Sequence, residues 1–210
     1  MEGHRARLGH GIHLGLGEAR MTGDRSQARD AIHAGDNGIA RAFDLLAADH
    51  PDAAARVKSA FGAFPSGVAA LCAVVDGVKV GMVASSFSVG VSFDPPMVMF
   101  SVQDSSTTWP VLKQAERIGI SILGSAHDAA CYQLSSRKGD RFAGLDVQEL
   151  DSGAIFVHDA AVWLECVIRS EIPAGDHHVV VLEVTSLRVA EGQEPLVYHG
   201  TRFRQLRAVS

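Results

Sequence analysis

The residues of this chain best suited to chemistry are small and hydroxylated. Gly81–Pro96 reads Gly-Met-Val-Ala-Ser-Ser-Phe-Ser-Val-Gly-Val-Ser-Phe-Asp-Pro-Pro. As a strand of period 2 it places Met82, Ala84, Ser86, Ser88, Gly90 and Ser92 on one face and Val83, Ser85, Phe87, Val89, Val91 and Phe93 on the other. The second face is apolar; the first is small and polar. A face of Ala, Ser and Gly leaves room for a flat ligand or for another backbone. Its hydroxyls and adjacent N–H groups suit an anion such as a phosphate, and a Ser-rich strand packed on a neighbouring element is the alternative. A second polar cluster, Gln103–Thr108, leads into Trp109-Pro110-Val111-Leu112-Lys113-Gln114-Ala115-Glu116, a helix pattern capped by Thr107 or Thr108 with Pro in its first turn. Trp109 reads equally as a site wall or as a core residue. Cys72, Cys131 and Cys166 are isolated, odd in number and set in apolar surroundings, so they read as buried structural thiols. His10 and His13 lack the Cys or carboxylate companions of a metal site, and no metal is expected.

These residues need strands to hold them. Gly67–Val75 is a nearly continuous apolar run, Asp76-Gly77 is a hairpin turn signal, and Val78–Met82 leads into the serine-rich stretch. Asp94-Pro95-Pro96 ends that strand, because Pro has no N–H for a ladder, and Met97–Val102 begins another. Ile118–Leu123 is a short buried strand. Ser125 with Asp128 has capping-box spacing and opens a helix to about Ser136, followed by the charged loop Arg137-Lys138-Gly139-Asp140-Arg141. Ala160–Ile172 alternates as a half-buried strand, Pro173–His177 is a turn, Val179–Val189 is a long strand, and Leu196–Tyr198 and Arg202–Arg204 are short ones. Many strands with only two helices between them imply an antiparallel barrel, closed or nearly so. Upstream, residues 1–38 read as a flexible Gly/His/Arg-rich arm containing a second Met at position 21, and 39–60 as a helical segment broken at Asp49-His50-Pro51. The barrel domain spans 61–210.

The 210 residues carry a net charge of −5 and no basic run, which argues against nucleic acid as a partner. Hydrophobic residues at 47% support a sizeable core. No apolar segment has the length of a membrane span and no secretory signal is evident, so a cytoplasmic protein is expected. GxGxxG and GxxxxGK[ST] segments are missing, which removes the Rossmann and P-loop readings.

Taken together, six segments resemble the flavin reductase family, whose fold is the FMN-binding split β-barrel and whose members supply reduced flavin to two-component monooxygenases. They are Phe64-Pro65-Ser66-Gly67-Val68; Gly81–Phe87 running to Asp94-Pro95-Pro96; Ser105-Ser106-Thr107-Thr108-Trp109-Pro110-Val111-Leu112; Asp140-Arg141-Phe142-Ala143-Gly144; Gly175-Asp176-His177; and Tyr198-His199-Gly200-Thr201-Arg202-Phe203. They occur in the family's order over roughly 61–206. Ser66 stands where many relatives carry Thr, keeping the hydroxyl. The resemblance implies a mainly β split barrel, a homodimer, FMN or FAD near the subunit interface, and NADH or NADPH as reductant. It implies an NAD(P)H:flavin oxidoreductase feeding a partner monooxygenase. A non-catalytic flavin carrier and a split-barrel oxidase of the pyridoxamine-phosphate type are the alternatives.

By the same resemblance the cofactor-binding residues are Pro65, Ser66, Met82, Val83, Ala84, Ser85, Ser86, Phe87, Gln103, Asp104, Ser105, Ser106, Thr108, Trp109, Arg141, Phe142, Tyr198 and Arg202. His177 is implied to position the nicotinamide, and Arg202 to pair with a nicotinamide-nucleotide phosphate. No Lys or Arg occurs from Gly81 through Leu112, so a phosphate beside Ser105 and Ser106 must draw positive charge from elsewhere, with Arg137, Lys138 and Arg141 the nearest candidates.

Overall fold

The computed structural model describes residues 52–207. In chain order its elements are α1 (Ala53–Gly62), β1 (Ser66–Gly67), β2 (Ala69–Val75), β3 (Val78–Ala84), β4 (Ser88–Phe93), β5 (Pro96–Gln103), α2 (Trp109–Leu112), β6 (Ile118–Ile122) and α3 (Asp128–Ser135). There follow β7 (Val147–Glu149), β8 (Ile155–Val157), β9 (Val162–Ala174), β10 (His177–Val189), β11 (Val197–His199) and β12 (Arg202–Arg204). The expected arm and the Asp49-His50-Pro51 break lie outside the described residues. α1 runs across the expected boundary at residue 60.

Seven strands form one antiparallel sheet in the order β3-β2-β6-β9-β10-β5-β4. β3 and β4 follow each other in the chain yet stand at opposite ends of that order, so the three residues between them draw the two edges together and curl the sheet into a barrel. Closure falls at Ser86. Ser88 pairs with Met99, and continuing that register by two residues sets Ser86 opposite Ser101. There the side chain does what backbone does elsewhere: Ser101 N–H donates to Ser86 Oγ (3.0 Å), and the Ser86 hydroxyl donates to Ser101 O (2.8 Å). A small sheet, β1-β11-β12, and the β7–β8 pair complete the strands. The fold is the split β-barrel expected.

β2 explains why Gly67–Val75 is apolar at every position. Ala69, Leu71 and Ala73 face a core built with Val98, Phe100, Ile118, Ile120, Leu164, Val180 and Leu182. Ala70 and Cys72 face a second core with Val68, Leu123, Leu134, Ile155 and Leu196. A strand buried on both faces has no polar side to alternate. The β2–β3 turn is the Asp-Gly hairpin expected, with Asp76 at φ 50° and Gly77 at φ 75°. The three cysteines are buried, and burial pushes their thiols up to about 12. They are protonated core residues at neutral pH.

Several local expectations are corrected. Gly81–Phe93 is not one regular strand: it breaks at Ser85-Ser86-Phe87, because barrel closure requires the chain to leave β2 there and join β5. Its apolar face does not pack inward as a unit, since Val89, Val91 and Phe93 are exposed. The helix after Thr108 is one turn rather than two. Its first N–H, at Trp109, is taken by Ser106 Oγ (3.2 Å) and not by a threonine. α3 begins after His127 with no side-chain cap, so Ser125 and Asp128 form no capping box; Asp128 instead accepts from the adjacent Ala129 N–H (2.8 Å). The turn at 173–177 shrinks to Gly175-Asp176, because Ala174 and His177 already pair. β7 and β8 were not expected, being only three residues each.

Candidate active site

A cavity of about 360 Å³ opens beside the β3–β4 break, within the range of about 300–1,000 Å³ typical of small-molecule sites. Met82, Val83, Ala84, Ser85 and Ser86 form one wall, where β3 ends. Gln103, Ser105, Ser106 and Thr108 form the next, on the turn leaving β5. Ser66, His177 and Tyr198 also line it, and so does Arg141. Thirteen of these positions are ones the sequence singled out, and segments more than a hundred residues apart converge on one space.

The loop leaving β5 is held from several sides. Ser106 N–H donates to Gln103 O (3.0 Å), closing a turn, and Asp104 N–H donates to Asp176 O (3.1 Å). That second bond ties the loop to the Gly175-Asp176 turn. His177 begins β10 directly opposite Gln103 of β5, so the ladder itself sets the imidazole at the cavity. His177 Nδ1 lies 2.8 Å from Asp176 Oδ1, and this hydrogen bond holds the Asp176 carboxyl below the usual carboxylate range. With Nδ1 engaged, Nε2 is the free ring nitrogen.

Arg141 is half-buried and engaged through two of its three nitrogens. Nη1 donates to Gly81 O (2.6 Å) and Thr108 Oγ1 (2.8 Å), and Nε donates to Ser136 O (2.6 Å). Burial draws its pKa below the ordinary value. Gly81 is required where Arg141 grips it: a Cβ there would stand 2.8 Å from both Cys72 Sγ and Phe142 Cζ. Arg141 therefore staples β3 to α2 rather than standing free in the cavity.

Six expected residues are not on the cavity wall. Trp109 is core: 5% exposed, edge-on to Phe100 at 5.1 Å, with its indole N–H donated to Glu171. Phe87 is partly buried against the first core, and Phe142 packs on the second. The Asp104 carboxylate faces His178 Nδ1 at 2.8 Å. Arg202 is exposed on β12, and Pro65 is exposed beside Ser66. Lys138 does not line the cavity either, whereas Arg137 does.

Lining residues that sequence reasoning missed include Lys58, Phe61 and Gly62. Their i, i+3, i+4 spacing puts them on one face of α1, a signal present in the sequence. Phe64 and Thr201 also line the wall, and Gly200 N–H donates to Gly62 O (2.8 Å), joining the end of α1 to the β11–β12 turn. Among the described residues no Asp or Glu lines the cavity, while Lys58, Arg137 and Arg141 do. A space walled by small side chains, hydroxyls and cations fits a phosphorylated ring cofactor.

Barrel and cleft together define a split-barrel protein built to hold a nucleotide-like anion. The sequence pattern described as the flavin reductase like domain matches residues 61–207, and the chain belongs to that family. It is 32% identical over 143 residues to a flavin reductase of Pseudomonas putida, covering 68% of this chain and 84% of that protein. It is 28% identical over 148 residues to the reductase subunit HsaB of a flavin-dependent monooxygenase of Rhodococcus jostii, covering 70% and 75%. Among solved structures, the Streptomyces globisporus NADH:FAD oxidoreductase SgcE6 in complex with NAD and FAD fragments superposes with a TM-score of 0.71 at 27% identity, covering 79% of this chain and 98% of that one.

Proposed function

We propose that this protein is an NAD(P)H:flavin oxidoreductase that reduces FMN or FAD and supplies the product to a monooxygenase. The observation that carries the reading is the convergence of the β3 end, the 103–108 turn and His177 on one carboxylate-free cavity. When bound, the two cofactors would supply the redox chemistry, a hydride transfer from reduced nicotinamide to oxidised flavin. The chain's own part is alignment. Met82–Ser85 offers a wall of small side chains for the flavin ring, the hydroxyls of Ser105 and Ser106 face the ribityl and phosphate end, and His177 Nε2 is presented for the nicotinamide amide. Ser66 and Tyr198, paired across β1 and β11, also line the cavity.

The enzyme acts as a homodimer. Support comes from the large apolar side chains left uncovered on one chain, above all Phe93 at 89% exposed and Phe64 at 75%. Three free, buried cysteines suit a reducing compartment, in keeping with the cytoplasm. Among the described residues no helix is long and apolar enough to cross a membrane.

The test mixes purified protein with NADH or NADPH and free FMN or FAD and follows the nicotinamide absorbance. Oxidation that depends on added flavin is the expected result; tight flavin binding without oxidation would favour a carrier. His177→Ala should raise the KM for the nicotinamide and lower turnover, about tenfold together for one lost hydrogen bond to a charged or polarised partner, with flavin affinity unchanged. Unaltered kinetics in that variant would remove His177 from the site.

A further inference from the structure

Three cations line the cavity, and they are not equivalent. Arg141 donates Nε and Nη1 to Ser136 O, Gly81 O and Thr108 Oγ1, so these two nitrogens are committed to holding the wall together. Lys58 and Arg137 also line the cavity, yet neither makes an ion pair or hydrogen bond to any described residue. Some cations of the barrel pair with carboxylates among the described residues, Lys79 with Glu149, Lys113 with Glu171 and Arg169 with Glu183, while Arg117, Lys138, Arg202 and Arg204 do not; what sets Lys58 and Arg137 apart is that they line the cavity. The cavity supplies no Asp or Glu to Lys58 or Arg137, in a chain whose net charge is −5. Arg137 follows Ser136, whose carbonyl accepts from Arg141 Nε, and it lines the same cavity as Ser105, Ser106 and Thr108. Lys58 reaches the same space from α1, on the helix face it shares with Phe61 and Gly62.

The geometry points to Lys58 and Arg137 as the pair that selects phosphorylated flavin over riboflavin, while Arg141 holds the wall together through Nε and Nη1. The inference rests on the flavin reductase reading and assigns the charge recognition within it. Two cations without a partner among the described residues, one of them a forked guanidinium, line a cavity that also carries the 105–108 hydroxyls, and this set favours a phosphate dianion there. Hydroxyls and backbone hold the uncharged ring and ribityl chain, so riboflavin should bind without help from either cation.

Equilibrium titration of the full chain with FMN and with riboflavin, followed by flavin fluorescence, tests this without turnover. Lys58→Met and Arg137→Met should each weaken FMN about tenfold, and the double variant about a hundredfold, while riboflavin affinity stays within about twofold of the parent. Added salt should weaken FMN binding to the parent and lose that effect in the double variant. A single substitution without effect on FMN, or a parallel loss of FMN and riboflavin, overturns the assignment. So does a parent protein that binds both flavins equally. Failure of the underlying reading looks different: the parent would bind neither flavin and oxidise no NAD(P)H.

Discussion

Ser85 and Ser86 are adjacent and both line the cavity, but they answer to different demands. Ser86 Oγ accepts from and donates to the backbone of Ser101, completing the barrel where the ladder has a gap. Ser86→Ala removes both bonds at a solvent-exposed position where water can take their place, a cost of about 0.5–1.5 kcal/mol. Urea denaturation should show it as a lower midpoint with an unchanged slope. Ser85 makes no such bond, so Ser85→Ala should leave the midpoint in place and act only on flavin affinity. If the two variants are equally stable, closure does not depend on Ser86. The sequence made both serines visible and could not separate them: which one reaches the flavin depends on where the strand breaks, and that is set by β5, whose Ser101 is distant in sequence.

At the scale of elements, what was legible followed from local rules and what was missed needed partners. The Asp76-Gly77 hairpin, the alternation of Leu164, Cys166 and Ile168, and the doubly buried β2 are all written in residue type and period. Trp109 was not, since a one-turn helix gives too little periodicity to say which way its indole turns. It is core because Phe100 and Glu171 meet it from β5 and β9. Burial acts to raise the Glu171 carboxyl, but hydrogen bonds from Trp109 and Lys113 outweigh it and hold it below the usual range. The folded state therefore binds fewer protons than the unfolded chain, so this contribution is complete above the ordinary glutamate pKa and is lost as pH falls through the depressed one. Glu171→Gln should flatten the acid limb of a Tm-against-pH profile; an unchanged limb would assign acid sensitivity elsewhere. β6 poses a stricter demand at Gly119, where a Cβ would stand 2.2 Å from Ile155 O of β8. Backbone cannot give as a side chain can, so Gly119→Ala should cost at least about 2–3 kcal/mol and lower Tm by roughly 4–12 °C. A variant as stable as the parent would mean that β8 moves freely over β6.

For the whole molecule, the chain taken alone leaves a set of large apolar groups uncovered. α1 buries none of its residues, and its Phe61 reaches the cavity while remaining largely exposed, as does Phe64 just beyond the helix. At the sheet edge, Val89, Val91 and Phe93 of β4 are uncovered where an alternating strand was expected to turn its apolar face inward. Monomeric proteins seldom leave this many large apolar groups in water, and an obligate dimer interface resembles a core cut in two. A second copy over β4 would bury Phe93 and end the sheet's open edge. Light scattering should then give a dimer for the parent. Phe93→Glu places a charge in the contact and should shift the mass to a monomer, with the far-UV spectrum of the barrel retained. If α1 and Phe64 are covered by the same contact, the monomeric variant should also bind FMN more weakly although residue 93 does not line the cavity. A parent that is already monomeric, or a Phe93→Glu protein that stays dimeric, would place the interface on another face.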